Sequence, residues 1–350
     1  MTIPRQVAIP TLVRVKPGAI DRLGIYAGRH GFRRVVLLQS EGLPETLPQR
    51  VRNALETEGI ELLATHNVTS ASFEEAVSLF QNLPAGTEAV IGLGGGKALD
   101  VAKYAGFLAR LPFVSVPGSL SNDGFCSPQS SLTLNGRRRS LPAVMPFGVV
   151  LDTAVCLAAP ESLWLSGVGD LAAKFTAVTD WKLAFHARGT PVDDFAALLS
   201  DASVFQFLAH PVRDLEGIRL LGTALMLNGI AMGICGSSRP ASGSEHLISH
   251  ALDEAGARPR LHGLQVGVAT YLVSHLQGRH TELIGGLFDT TGFWRAIEAD
   301  PFVRSEWLAA ARRAPRLKPD FHTVLSERDC LPEVARLLSE DSQLRRVFID

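Results

Sequence analysis

The chain has 350 residues, with 34 Lys and Arg against 35 Asp and Glu, a net charge of −1, and 46% hydrophobic residues. That balance gives no basic footprint for nucleic acid, and four cysteines scattered at 126, 156, 235 and 330 with no C-x-x-C pair exclude a disulfide framework or a structural zinc module. The length favours two domains over one core, and the opening "MTIPRQVAIP" lacks the charged-then-apolar pattern of a secretory signal, so the cytoplasm is the expected location.

Strand and helix signals alternate from the start. "RRVVLLQS" at 33–40 reads as a strand ending at Gln39 and Ser40, "VRNALETEGIELLATHNV" gives a helix and a second strand, and "FEEAVSLFQNL" gives a helix before the strand of "EAVIGLGGG". Such alternation predicts a parallel sheet covered by helices. "FVSVPGSLSNDGFCS" is a strand running into a polar loop, and "SLTLNGRRRSLPA" predicts a hairpin turning at Asn135-Gly136, with Arg137, Arg138 and Arg139 in a solvated loop. "PFGVVLDTAVC" predicts the last strand. From about residue 160 the pattern becomes helices separated by Gly and Pro, which puts a boundary near 155: an α/β nucleotide-binding domain at 1–155 and an all-helical domain at 156–350. The most apolar run, "LLGTALMLNGIAMGIC" at 220–235, is short for a bilayer and interrupted by Thr223 and Asn228, so it reads as a buried helix and no membrane span is expected.

Gly94, Gly95 and Gly96 lie between an apolar strand and a helix, where backbone N–H groups can approach a phosphate and the helix dipole favours an anion. The spacing is neither the Rossmann fingerprint nor a P-loop, since Ala98 follows Lys97 where a magnesium-binding hydroxyl would stand. A pyrophosphate fits; ATP hydrolysis does not. Ser119, Ser121, Asp123 and Ser127 crowd the next loop, at the carboxyl edge of a sheet where ligands bind, although an Asx turn around Asn122 would also account for it. Asp170, in "SGVGDLAAKF", reads alone as the N-cap of a helix that also carries Lys174 and Asp180.

In "SGSEHLISHALDEAGARPRLHGLQVG", Ser242 and Glu245 fit a capping box that opens a helix, on which His246 and His250 share a face. Gly256 and Pro259 break that helix, and His262 starts a new element. The histidines suit a divalent metal, or are ordinary core-edge residues. Leu247 excludes the zinc-protease pattern, which needs a glutamate there.

The ordered set "GGGK-A-L-D-x-x-K", "S-x-D-G", "G-D-L-x-x-K", "S-G-S-E-H-x-x-S-H" and "L-H-G-x-Q-V-G" resembles the sn-glycerol-1-phosphate dehydrogenases, within the metal-dependent polyol dehydrogenases and dehydroquinate synthases, over residues 90–270. The resemblance implies a Rossmann-like parallel-sheet domain followed by an all-helical metal- and substrate-binding domain, with the active site in the cleft between them. It implies Asp170, His246 and His262 as ligands to zinc, or to the iron or nickel of some relatives. Gly94, Gly95, Gly96, Lys97, Asp100, Gly118, Ser119, Ser121 and Ser127 would bind NAD or NADP. Asp123 and His250 would meet the substrate and serve catalysis, with Asp170 also on the substrate side. The family's loop usually has threonine where this chain has Gly118, and dehydroquinate synthases have glutamate where Asp170 stands. Arg239, Arg258 and Arg260 flank the histidines as candidate phosphate anchors or as solvated arginines. The implied reaction is hydride transfer between NAD(P)H and dihydroxyacetone phosphate, giving sn-glycerol 1-phosphate. An unphosphorylated polyol dehydrogenase and a dehydroquinate synthase-like cyclase or lyase are the alternatives. A small-molecule substrate is the expected partner, and a homo-oligomer is left open.

Overall fold

Continuous runs of Val, Ile and Leu in the first half leave no polar face to give to water, so their strands must be covered on both sides. The computed structural model describes residues 7–256 and 258–350, and the chain divides into two units, Met1–Ala159 and Pro160–Asp350. In the first unit, β1 (Leu12–Lys16), β2 (Arg34–Ser40), β3 (Glu61–Val68), β4 (Ala89–Gly94), β5 (Phe113–Pro117) and β8 (Gly148–Asp152) form one sheet in the order β1-β8-β5-β4-β2-β3. Every pairing in it is parallel. β4, β5 and β8 are buried along their whole length. The helices are α1 (Leu23–Arg29), α2 (Thr46–Thr57), α3 (Phe73–Gln81), α4 (Gly96–Ala109) and α5 (Thr153–Ala158).

The chain passes from β2 outward to β3, then returns to place β4 on the other side of β2. That reversal opens a crevice above the carboxyl ends of β2 and β4, the position at which open α/β sheets bind ligands. β6 (Gln129–Leu134) and β7 (Arg137–Pro142) form the expected hairpin, and Asn135 and Gly136 at φ 51° and 73° supply the two positive dihedrals of a tight turn. Arg137, Arg138 and Arg139 are therefore strand residues, not loop, although they face water as expected.

A buried cation fixes the loop after β5. Lys103 of α4 is fully buried, and its ammonium donates to the carbonyls of Gly124 and Gln129, both at 2.7 Å, and lies 3.3 Å from Asp100 Oδ1. Lys103→Met is expected to remove the donor that these carbonyls share and the counter-charge of the buried Asp100 carboxyl, and to cost about 3 kcal/mol in chemical denaturation.

The second unit holds α6 (Glu161–Arg188), α7 (Asp194–Leu208), α8 (Leu215–Cys235), α9 (Ser244–Ala255), α10 (His262–Gln277) and α11 (Thr281–Thr291), then α12 (Arg295–Glu298), α13 (Arg304–Leu317), α14 (Val324–Glu327), α15 (Leu331–Glu340) and α16 (Leu344–Val347). One pair of two-residue parallel strands, Phe302–Val303 with Phe348–Ile349, interrupts the helical pattern. α8 has 21 residues, longer than its apolar run suggests and enough by length and hydropathy to cross a bilayer, but 61% of its most apolar 18-residue stretch is buried inside the protein. Asn228, in its middle, donates to Ala224 O and accepts from Ser203, as a core helix requires.

Glycine governs the packing of α6 on α10. A Cβ on Gly263 would overlap the backbone of Ser166, one on Gly169 would overlap Gly263, and one on Gly267 would lie 2.9 Å from Gly169 Cα. Backbone therefore meets backbone at this crossing. The glycines of "SGVGD" do not end a helix: α6 begins at Glu161 and runs through them, so Asp170 stands inside a 28-residue helix and is not its N-cap. Gly263→Ala is expected to cost at least about 3 kcal/mol, above the middle of the range for overpacked cores because backbone cannot rotate away. Gly286→Ala, where a Cβ meets nothing within 4 Å on an exposed turn of α11, should leave stability unchanged or raise it by up to about 1 kcal/mol in the same denaturation experiment.

Candidate metal and cofactor sites

At the carboxyl edge of the first unit's sheet, β4 ends at Gly94 with φ 124°, and a Cβ there would overlap Ser40 Oγ. Ser40 Oγ accepts from Gly95 N at 3.0 Å, so the end of β2 shapes the turn directly. Gly95 is the N-cap of α4 and no side chain caps it. A Cβ on Gly95 would meet nothing within 4 Å. The result is a helix start whose first N–H groups lack a side-chain acceptor beside open space, which suits a phosphate. Lys97 is exposed on the first turn.

Gly118 continues from β5 and donates to Gly94 O at 2.9 Å. A Cβ on Gly118 would lie 3.5 Å from Gly94 Cα, an ordinary contact, so crowding at the Cβ position does not force the glycine. Ser119, Ser121 and Asp123 are partly exposed along the loop, and Asp123 opens a short 3-10 turn whose Asn122 cap accepts from Gly124 N. Asp100 and Ser127 differ from the rest of the expected cofactor set. Both are buried; Asp100 is held by Lys103, and Ser127 Oγ donates to Gln129 O at 3.0 Å and lies 3.5 Å from the Lys103 ammonium. They build the loop from beneath.

In the second unit, Asp170 from α6, His246 from α9 and His262 at the first turn of α10 each offer a ligand atom, and those atoms lie within 4.8 Å of one another. The glycine crossing is the local cause, because Gly169 and Gly263 are the chain neighbours of Asp170 and His262. His246 Nε2 is 3.5 Å from Asp170 Oδ1, and the His246 and His262 ring centres are 5.3 Å apart. His250, one turn along α9, has its ring 6.4 Å from His246 and 6.1 Å from His262 and is outside the converging set. Helical spacing alone would have chosen the 246 and 250 pair.

Burial pushes the Asp170 carboxyl up, but the Lys174 ammonium at 3.6 Å and hydrogen bonding with His246 outweigh it and hold Asp170 well below the usual carboxylate range. Burial pushes His246 down, and its bonds to Asp170 and Glu245 more than reverse this, so the ring is raised. An ionised carboxylate and two imidazoles with converging nitrogens form a nitrogen and oxygen donor set suited to a divalent first-row metal.

Residues to which the sequence gave other roles or none hold this site. Glu245 is buried and accepts from His246 Nδ1 and Thr176 Oγ1, each at 2.8 Å, and from Gly243 N at 2.5 Å. The expected capping box thus survives in its glutamate half only. The N-cap is Gly243, not Ser242, and the acceptor for Ser244 N is Asp180 Oδ2 of α6 at 2.7 Å. Asp180 Oδ1 also accepts from Val324 N at 2.8 Å, and burial together with the charge of Glu245 raises its carboxyl to about 6.

The arginines expected near the substrate phosphate are committed elsewhere. Arg258 Nη1 donates to Asp300 Oδ1 at 2.6 Å, and Arg260 pairs with the same carboxylate and donates to Asp300 O and Pro301 O at 2.8 and 2.7 Å. Arg239 is buried, donates to His322 O at 2.6 Å and stacks 3.6 Å from the Phe321 ring centre. Asp180 exerts an electrostatic pull on it, and Asp180 stands ten residues and about 15 Å along α6 from Asp170.

A family profile described as "Iron-containing alcohol dehydrogenase" matches residues 14–160. Among solved structures, glycerol dehydrogenase from Schizosaccharomyces pombe aligns with TM-score 0.78 over 99% of this chain and 92% of its own at 18% identity, and sulfoacetaldehyde reductase from Bifidobacterium kashiwanohense in complex with NAD+ aligns with TM-score 0.71 over 97% and 100% at 16% identity. At that identity the likeness is one of fold. Sequence similarity is stronger: the glycerol-1-phosphate dehydrogenase [NAD(P)+] of Aeropyrum pernix is 36% identical over 95% of this chain and 97% of its own length. The Methanothermobacter thermautotrophicus enzyme of the same name is 32% identical over 97% and 99%. With the glycine turn and the Asp170, His246 and His262 cluster both present, the chain belongs to the glycerol-1-phosphate dehydrogenase family.

Proposed function

We propose that this protein is a metal-dependent oxidoreductase that moves hydride between NAD(P)H and dihydroxyacetone phosphate, forming sn-glycerol 1-phosphate. The observation that carries the reading is the convergence of Asp170, His246 and His262 within 4.8 Å in a chain of this family. Those three residues would hold the ion, with zinc the proposed metal, and their number leaves a coordination position for substrate. A divalent metal there supplies Lewis-acid polarisation of the substrate oxygen, and a nicotinamide supplies or accepts the hydride. Asp170, kept ionised by Lys174, is the anionic ligand. His250, on α9 with its ring 6.4 Å from that of His246 and 6.1 Å from that of His262, would hold or move the proton of the substrate oxygen. Gly94 to Lys97 and the Gly118 to Ser121 loop would take the dinucleotide, and Asp123 the substrate.

Use of both NADP and NAD is expected from the end of β2. Gln39 donates to Asn67 Oδ1 at 2.8 Å and Ser40 bonds Gly95; neither is a carboxylate that would repel a 2′-phosphate, and Glu41, the next residue, is the acidic group that would favour NAD. Because Arg258 and Arg260 are spent on Asp300, an unphosphorylated polyol dehydrogenase is the second reading.

One assay separates these readings: kcat/KM for dihydroxyacetone phosphate and for free dihydroxyacetone, each with NADH and NADPH. The phosphorylated substrate should be preferred by at least about tenfold, as a charge-assisted contact of roughly 1.5 to 3 kcal/mol requires. The two cofactors should differ by less than about a hundredfold, equivalent to some 2.7 kcal/mol. Equal use of both substrates would promote the polyol reading, and no net consumption of nicotinamide would point to a cyclase.

A further inference from the structure

His262 has a neighbour on α9 that no part of the proposed chemistry uses. Ser249 is fully buried, and its hydroxyl oxygen lies 3.2 Å from His262 Nδ1 and 3.2 Å from Gln265 Oε1, one turn along α10. A hydroxyl has one proton to donate. If that proton goes to the Gln265 carbonyl, the serine oxygen must accept from His262, so Nδ1 carries the ring's proton and Nε2 keeps its lone pair. If the proton goes to His262 instead, the ring's own proton sits on Nε2, and Nε2 cannot ligate a metal. The direction of one hydrogen bond therefore decides whether His262 is a ligand.

We propose that Ser249 and Gln265 are positioning residues that lock His262 in its Nδ1–H form through the relay His262 Nδ1–H to Ser249 Oγ–H to Gln265 Oε1. The proposal rests on the metal reading of the Asp170, His246 and His262 cluster. Gln265 is 4% exposed, so its carbonyl faces the serine away from bulk water. The relay is also the counterpart of a different device on the other histidine, where the Glu245 carboxylate accepts directly from His246 Nδ1 at 2.8 Å. A carboxylate can only accept, so its direction is fixed by charge. A serine can point either way, and only the glutamine behind it fixes the direction. The relay gives the glutamine of "L-H-G-x-Q-V-G" a role, since it stands three residues after His262, on the same helix face, with its amide turned toward α9.

The test compares two near-isosteric changes of Gln265. Gln265→Glu keeps an acceptor facing Ser249, and Gln265→Met removes it, freeing the serine proton to turn to His262. Zinc affinity is measured by competition with a chelator on each full-length protein. The protonation site of His262 in the metal-free state is read from the long-range nitrogen-proton correlations of its ring. The wild type and Gln265→Glu should bind one zinc with similar affinity and carry the proton on Nδ1. Gln265→Met should bind about 10 to 100-fold more weakly and shift the proton to Nε2. Ser249→Ala, which leaves the glutamine in place and should retain the fold, should also weaken zinc at least several-fold. Wild-type affinity in Gln265→Met, or equal loss in Gln265→Met and Gln265→Glu, would overturn the relay. Failure of the wild type to bind zinc, iron or nickel at all would instead overturn the metal reading on which it rests.

Discussion

The candidate metal site depends on a distance that only glycine permits, the approach of α6 to α10 at backbone contact. Gly169, Gly263 and Gly267 put no side chain of their own between the helices, and the residues next to two of them are Asp170 and His262. A helix pair normally holds its axes 8 to 10 Å apart on side-chain volume. Closing that gap lets a short carboxylate and an imidazole from different helices reach one point. α9 then brings His246 to the same place, its amino end fixed by Asp180 of α6 through Ser244 N. The long helix thus supplies a ligand, a glycine surface and the cap of a neighbouring helix within its length.

Buried charge is handled differently at the two sites. In the second unit Asp170, Lys174, Asp180 and Glu245 are all buried, each with polar partners, because a charge removed from water is tolerated only when paired and hydrogen-bonded. In the first unit the buried ammonium of Lys103 organises the polar loop, and the glycine turn beside it offers backbone groups, with Lys97 exposed on the first helical turn. A backbone site of that kind favours an anion through its dipoles.

Much of this was legible in the sequence. Short apolar runs alternating with helical patterns gave the strands and helices, Asn135-Gly136 gave its hairpin, and the glycine turn stood where β4 meets α4. The errors share a physical origin: local rules were applied where tertiary contacts decide. "SGVGD" reads as a helix start because glycine breaks isolated helices, but here it is the packing face of one. "SGSE" reads as a capping box because the motif is complete in sequence, yet the cap comes from Asp180, 64 residues away. Lys103 and Gln265 stand in the quoted motifs, but no local rule gives either a role, since each acts across elements. Arg258 and Arg260 looked free because Asp300, their partner, lies 40 or more residues further on.

The central claim is that one carboxylate from α6 and one imidazole from each of α9 and α10 form a single metal site. X-ray absorption at the metal edge of the zinc-loaded protein tests it most directly. The account predicts a first shell of nitrogen and oxygen only, near 2.0 to 2.1 Å as zinc requires, with outer-shell scattering that fits two imidazoles. A sulfur at about 2.3 Å, or scattering that demands a third imidazole, would contradict it.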